Sequence, residues 1–332
     1  MRAVVITRPG GPEVLQFREV PDPAFGPEEV LVRVEATALN RADLLQRMGR
    51  YPAPPGAPAE IPGLEFAGRV EDHGPRVRGL EVGDRVMGIL GGGGYAEKVA
   101  LHERLCLRVP PALGAHEAAA IPEAFLTAYD ALFRQGRLGA GEVVLVHAAA
   151  SGVGTAAAQL AAVSGASIIG LSRTVAKRER LEQLGIFSQV LDPQRGDLVD
   201  AIRLAAGGNG VDLVIDLLGG SVWELNCEVL RECGRLVLLG LLGGSRARVD
   251  LLELMRKRLT IRGTVLRSRP LEEKVALVQE FGRRVLPLLA AGRIRCTVDR
   301  QFDLSQASEA HALMERNENF GKIVLTVGEG DS

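Results

Sequence analysis

Glu142-Val143-Val144-Leu145-Val146-His147-Ala148-Ala149-Ala150-Ser151-Gly152-Val153-Gly154-Thr155-Ala156-Ala157-Ala158-Gln159-Leu160-Ala161 reads as one strand–turn–helix unit. It opens on an apolar, β-branched run, the pattern of a strand buried on both faces. A turn of small residues follows, then an Ala-rich helical run with no Pro or Gly until Gly165. Such a unit suits a dinucleotide. Small residues let the backbone approach a pyrophosphate, and the helix start points unpaired N–H groups at it. In a G-x-G-x-x-G register the three positions are Ala149, Ser151 and Gly154, so only the last is Gly. Taken alone the match is weak, and an ordinary buried βα unit is the alternative. Its context strengthens it, because βα units continue on its C-terminal side.

Strand candidates from here on are Glu142–His147, Ser167–Leu171, Gln189–Leu191, Val211–Leu217, Arg235–Gly240 and Leu259–Val265. Helix candidates fill the gaps: Thr155–Ser164, Val175–Leu184, Leu198–Ala205, Trp223–Arg231 and Leu251–Arg258. This alternation predicts an α/β, doubly wound, six-strand parallel sheet with helices on both faces.

The flanks differ. Arg2–Ile6, Leu15–Glu19, Val30–Ala38, Glu65–Glu71, Arg85–Leu90 and Ala96–Ala100 read as short strands, with a short helix over 39–49 and a Pro-rich loop from Tyr51 to Pro62. Helices are expected at Ala115–Ile121 and Glu123–Arg134. After residue 266 come a helix over Leu271–Ala291, strands at Arg295–Phe302 and Lys322–Val327, and a helix at Ala307–Arg316. These have no place in the six-strand sheet. The simplest topology returns them to the first domain, giving 1–120 plus 267–332 as a β-rich domain and 121–266 as an insertion. The ligand is then expected in the cleft between the two domains.

Composition excludes several classes. With 40 Lys+Arg against 41 Asp+Glu, bulk charge does not favour a nucleic acid, and no basic stripe interleaved with aromatics occurs. No apolar run reaches the roughly 20 residues of a membrane span, and the start of the chain reads as a strand rather than a signal peptide, so a cytoplasmic location is expected. Cys106, Cys227, Cys233 and Cys296 form no C-x-x-C pair and have no His at metal-ligand spacing, so no metal site is expected. Cys227 and Cys233 look like parts of one helix and the turn after it.

In NAD enzymes an acidic residue about 20 residues past the glycine turn bonds the ribose 2′-hydroxyl. Here the second strand ends at Leu171 and Ser172-Arg173-Thr174-Val175-Ala176-Lys177 follows, without a carboxylate. A hydroxyl and cations favour a 2′-phosphate, hence NADP(H). A solvated basic helix start is the alternative.

Several blocks carry a resemblance. They are Leu39-Asn40-Arg41-Ala42-Asp43 with Arg47, Gly49 and Tyr51; Pro62-Gly63-Leu64-Glu65-Phe66-Ala67-Gly68; Ala120-Ile121-Pro122-Glu123-Ala124-Phe125-Leu126-Thr127-Ala128; Ser151-Gly152-Val153-Gly154; and Gly321-Lys322-Ile323-Val324-Leu325. Together, and in this order over essentially the whole chain, they resemble the zinc-free, zeta-crystallin-like quinone oxidoreductase branch of the medium-chain dehydrogenases/reductases. Within it, the p53-inducible subgroup is most similar. The resemblance implies a GroES-like catalytic domain with an inserted Rossmann domain, NADPH as hydride donor and a small-molecule quinone as acceptor.

By position, the resemblance implies that Asn40 and Tyr51 line the site near the nicotinamide and carry the catalytic role, with Thr127 near the cofactor. Ala150, Ser151, Gly152 and Val153 would cradle the pyrophosphate, and Ser172, Arg173 and Lys177 the 2′-phosphate. Leu239, Gly240, Leu241, Val265 and Leu266 would flank the nicotinamide. It also implies a homodimer formed through the last Rossmann strand. The family often has Gly where Ser151 stands, and some members have a Tyr where this chain has Leu45. Zinc-dependent relatives place a His immediately before the Glu of the 63–68 motif; here it is Leu64, which cannot ligate zinc. Residue by residue, Asn40 can also be read as a helix cap, Tyr51 as a loop aromatic packed on Pro52, and Glu65 and Asp43 as structural partners of Arg47. The competing activities are an NADPH-dependent alkenal or enone double-bond reductase and a non-catalytic NADPH-binding protein.

Overall fold

The alternating and apolar runs near the N-terminus become β1 (Arg2–Ile6), β2 (Leu15–Glu19), β3 (Glu29–Ala38), α1 (Arg41–Arg47), β4 (Glu65–His73), β5 (Arg85–Ile89), β6 (Lys98–His102), β7 (Cys106–Arg108), α2 (Ala115–Ala119) and α3 (Pro122–Tyr129) in the computed structural model, which describes residues 1–328. The strand expected at Ala96–Ala100 lies two residues later. Ala96 is instead bridged to Ala3, and Val4 N–H donates to Tyr95 O at 2.9 Å, so the start of that run is held by β1.

The inserted region supplies β8 (Val143–Val146), α4 (Gly152–Val163), β9 (Ser167–Leu171), α5 (Val175–Gln183), β10 (Gln189–Leu191), α6 (Leu198–Ala205), β11 (Val211–Asp216), α7 (Trp223–Val229), β12 (Leu230–Leu238), α8 (Leu251–Lys257) and β13 (Thr260–Gly263). Its six strands lie in the order β10-β9-β8-β11-β12-β13, every neighbouring pair parallel. This is the doubly wound order, with the switch point between β8 and β11. The apolar strands are buried on both faces, and Leu145, Ile169, Val214 and Leu236 join one core. The helix expected at Trp223–Arg231 ends early, because Leu230 pairs with Val211 and begins β12. Cys227 and Cys233 therefore lie on a helix and on a strand, and Cys233 takes a left-handed φ of 60° at the irregular stretch of that strand.

The tail forms α9 (Leu271–Arg284), α10 (Leu286–Ala290), β14 (Val298–Asp303), α11 (Ala307–Glu315) and β15 (Lys322–Thr326). The single expected helix breaks at Val285, just before Pro287, which has no N–H to give. β14 and β15 return to the first sheet, whose order is β14-β15-β3-β4-β5-β7, with β6 also paired to β3. Leu313, Met314, Ile323 and Leu325 from the tail share a core with Val4, Leu15, Leu39 and Leu44. The two ends of the chain thus close one hydrophobic core, as an inserted domain requires.

The chain divides into Met1–Leu126 with Leu266–Ser332, and Thr127–Val265. The first cut falls six residues beyond the expected 120/121. Glu123 N–H is held by Glu65 Oε2 at 2.8 Å, which keeps the start of α3 with the first unit.

Candidate functional site

In the dinucleotide unit the turn after β8 is tight. Ser151 N–H donates to Ala148 O at 2.8 Å, and Ala148 adopts a left-handed φ of 47°. Gly154 lies directly on this turn: a Cβ there would stand 2.6 Å from Ala148 O and 2.7 Å from Ala149 O. Only glycine permits that approach of helix to strand. Ser151 caps α4, its Oγ accepting the Gly154 N–H at 3.0 Å. It is extended (φ −78°, ψ 166°), so a residue with a side chain fits where the family often has Gly. Gly152 and Val153, partly exposed, occupy the first turn, where N–H groups have no intrahelical partner. Ala150 is buried beneath them. Small, packed residues and outward N–H groups at the start of a twelve-residue helix fit a dinucleotide pyrophosphate.

The next strand end divides the cations by role. Arg178 Nη1 donates to Ser172 O at 3.0 Å and Arg173 O at 2.7 Å, and pairs with Asp192 at 3.0 Å. Arg178 is thus a brace for the turn. Ser172 is buried, Lys177 is partly buried and Arg173 is exposed, so the Arg173 guanidinium is the one turned to solvent beside the turn.

Because all six strands are parallel, the residues after β8, β9, β12 and β13 share the C-terminal edge of the sheet. That edge gathers Ala150–Val153, Ser172, Arg173, Leu239–Leu241 and Val265. Leu239 N–H donates to Asp216 O at 2.8 Å, and Leu241 and Val265 are exposed. Leu266 departs from this group: it is buried and belongs to the first unit. Thr127 is partly exposed on α3.

A buried triad on this edge went unread in the sequence, where His147 looks like a strand-end residue only. His147 Nε2 meets Asn226 Oδ1 at 2.7 Å, and Asn226 Nδ2 donates to Asp216 Oδ2 at 2.9 Å. Asp216 Oδ1 accepts the Leu218 and Gly219 N–H groups at 2.7 and 3.0 Å. Burial pushes the His147 pKa down, so the ring is neutral and donates from Nε2. The triad ties the β8 end to the loop after β11.

In the first unit Asn40 begins α1. Its backbone N–H donates to Asp43 Oδ2 at 2.7 Å, but its side chain is spent elsewhere. Asn40 Nδ2 donates to Glu65 Oε1 at 2.8 Å, and Lys322 Nζ donates to Asn40 Oδ1 at 2.7 Å. Lys322 and Glu65 form an ion pair of 2.7 Å with side chains 4% and 0% exposed, which makes this a fully desolvated pair. The expectation that Glu65 and Asp43 serve Arg47 is overturned. Arg47 pairs with Glu315 and meets His311 Nδ1 at 3.3 Å, while Asp43 accepts the Gly63 N–H at 3.1 Å and the Tyr95 hydroxyl at 3.3 Å. Burial pushes the Asp43 pKa up to about 6 against these hydrogen bonds. Glu123 is pushed up to about 8, by burial first and then by the Glu65 carboxylate.

Tyr51 is partly buried, and the Arg267 guanidinium lies over its ring at 5.0 Å from the centroid. Arg267 Nε donates to Gly91 O at 2.8 Å, Nη1 to Tyr51 O at 3.3 Å and Nη2 to Gln46 Oε1 at 2.5 Å. One side chain therefore ties the Pro-rich loop, the four-glycine loop and α1 together. Burial raises the Tyr51 pKa, so its hydroxyl keeps its proton at neutral pH. Lys322, Arg267, Glu123 and His311 were not recognisable as partners in the sequence, because each meets residues far away along the chain. The buried Leu64 stands immediately before Glu65 and offers no metal ligand.

The zinc-binding dehydrogenase family matches residues 152–282, and the alcohol dehydrogenase GroES-like domain matches residues 26–111. The quinone oxidoreductase of Lama guanicoe is 31% identical over 328 residues, covering 98% of this chain and 97% of that protein. The chain belongs to the medium-chain dehydrogenase/reductase superfamily. Its fold is the α/β fold of that superfamily, a GroES-like domain with an inserted Rossmann sheet, and it is an oxidoreductase of that class. Among solved members of the superfamily, Escherichia coli quinone oxidoreductase complexed with NADPH superposes with a TM-score of 0.87 at 29% identity, covering 98% of this chain and 100% of that one. The human synaptic vesicle membrane protein VAT-1 homolog, another relative, is 33% identical over 347 residues, covering 99% of this chain and 87% of that protein. Among the described residues, no helix is long and apolar enough to cross a membrane.

Proposed function

We propose that the protein is an NADPH-dependent, zinc-independent quinone oxidoreductase. The observation that carries this reading is Tyr51, a half-buried phenol under the Arg267 guanidinium. A flat ring with a protonated hydroxyl and a fixed positive charge suits a flat acceptor that becomes negative as it is reduced. NADPH, when bound, supplies the hydride. The Gly152 and Val153 N–H groups hold the pyrophosphate over Ala150 and Ser151, and Arg173 with Lys177 and Ser172 takes the 2′-phosphate. Leu239, Gly240, Leu241 and Val265 line the nicotinamide side, with Thr127 supporting it. Asn40 orients the reactive end. The Tyr51 hydroxyl donates a hydrogen bond to one quinone oxygen, Arg267 stabilises charge developing there, and water delivers the proton that completes the hydroquinone. A quinone is already electrophilic, so positioning can supply much of the rate.

Steady-state NADPH oxidation across a panel of quinones and enones tests this, with the products identified. Hydroquinone formation from ortho- or para-quinones at rates well above those for enones is expected. Faster reduction of an alkenal double bond would replace the quinone by an enone, and tight NADPH binding with no turnover on any acceptor would remove the enzyme reading.

A further inference from the structure

A groove of about 570 Å³ lies between α7 and α8 of the inserted unit, a volume within the range of small-molecule sites. Most of its charged walls satisfy one another. Lys257 Nζ donates to Cys227 O at 2.6 Å and Glu228 O at 2.9 Å and pairs with Glu253 at 3.3 Å, so its three donors are committed. Arg203 of α6 donates to the same Glu228 O at 3.1 Å and lies 3.7 Å from the Glu228 carboxylate. Asp250 is spent on the Leu252 and Glu253 N–H groups at 2.9 and 3.3 Å. These bonds tie α8 to the C-terminal end of α7, yet no residue of α8 is buried, so the space between the helices stays open. Leu251, Leu252 and Met255, the exposed apolar residues of α8, are not among the walls, so the groove lies on another side of that helix.

The uncommitted groups point to a ligand. Arg248 and Arg256 line the groove without a hydrogen bond or ion pair among the described residues, and so does Glu224. Trp223 lines it too, and the same side chain packs against the core of the sheet, so its ring is a fixed surface. Flat bases stack on such rings. A carboxylate offers two oxygens, enough for one guanidinium fork. A phosphate monoester offers three oxygens and nearly two charges, enough for both. Glu224 accepts from a hydroxyl or amino group. We propose that this groove binds a nucleoside monophosphate, with the base on Trp223, the phosphate on Arg248 and Arg256, and a sugar or base donor on Glu224. The cations read as the 2′-phosphate site follow β9, which β8 separates from β11 and β12. The groove is therefore a second nucleotide site, and it does not depend on the quinone reading.

Trp223 is the single tryptophan of the chain, so intrinsic tryptophan fluorescence reports from this groove. Titration of the full chain with adenosine monophosphate should give saturable quenching. Arg248→Ala/Arg256→Ala should weaken binding about tenfold or more, the scale of lost charge-assisted hydrogen bonds. Its melting temperature should not change, because neither side chain has a partner to lose. Ribose 5-phosphate, which lacks the base, should compete about tenfold more weakly, the scale of one stacked base. Adenosine, which lacks the phosphate, should also be weaker. An absence of saturable quenching, or equal affinity in the paired arginine variant, overturns the site. Ribose 5-phosphate as tight as the nucleotide overturns the nucleotide assignment and leaves a bare anion patch. A loss in Arg173→Ala/Lys177→Ala with none in Arg248→Ala/Arg256→Ala sends the nucleotide to the cofactor edge and overturns it too. Quinone reduction by NADPH is measured separately, so its failure would strike the functional reading and leave this titration standing.

Discussion

The Arg267 guanidinium carbon stands 5.0 Å from the centroid of the Tyr51 ring. Arg267 is 5% exposed, so its charge is not diluted by water, and its hydrogen bonds to Gly91 O, Tyr51 O and Gln46 hold it there. The contact sets both the position of the ring and the electrostatics around its hydroxyl.

Tyr51→Phe removes the hydroxyl and keeps the stacked ring. We expect about a tenfold loss in kcat/KM for quinone, the scale of one hydrogen bond. NADPH affinity should hardly change. A loss of ~10²–10⁴ would identify Tyr51 as an obligatory proton donor instead.

Arg173→Ala with Lys177→Ala should weaken NADPH far more than NADH, measured by titration of both cofactors. Arg178→Ala should behave differently. Its partners are the Ser172 and Arg173 carbonyls and Asp192, so it should loosen the turn and weaken both cofactors. Equal losses for both cofactors in the first variant would reject the 2′-phosphate assignment.

Gly154→Ala places a Cβ 2.6 Å from Ala148 O, a backbone atom that cannot rotate away. Overpacking of this kind costs about 1–3 kcal/mol. A lower melting temperature and weaker NADPH binding should appear together, since the same turn serves both.

Glu123 has a folded-state pKa raised from 4.5 to about 8. The folded chain therefore holds a proton that the unfolded chain releases as pH climbs past 4.5. Stability from this proton is complete below pH 4.5 and is lost progressively as pH rises toward 8. Asp43, raised to about 6, acts the same way over a lower window. Glu123→Gln should flatten the fall in stability between pH 6 and 8, read from urea midpoints. An unchanged slope would show that Glu123 is ionised in the folded state at neutral pH.

β13 ends the six-strand sheet, and Thr260, Arg262 and Gly263 on it are exposed. Nearby in sequence, Leu251, Leu252 and Met255 of α8 are 68%, 72% and 74% exposed, an unusual apolar surface for a free helix. An open edge strand pairs readily with another. We expect a two-fold dimer in which β13 meets its copy, visible by sedimentation at micromolar concentration. A monomer under those conditions contradicts it.

Local sequence determined what periodicity and turn chemistry can encode. The β-branched run Val143–Val146, the small turn and the Ala-rich α4 formed as read, because a buried parallel strand and a helix N-terminus each leave a pattern in consecutive residues. The return of β14 and β15 to the first sheet was also legible, since two more strands had nowhere else to go. Ser151 was less so: only the geometry of the turn makes it a cap on Gly154. The tertiary structure alone decided which charges meet. Lys322 reaches Asn40 and Glu65 across most of the chain, Arg47 finds Glu315 and His311, and Arg267 covers Tyr51. A buried ion pair is specified by two backbones packed at one distance, and no spacing within a single segment records that distance.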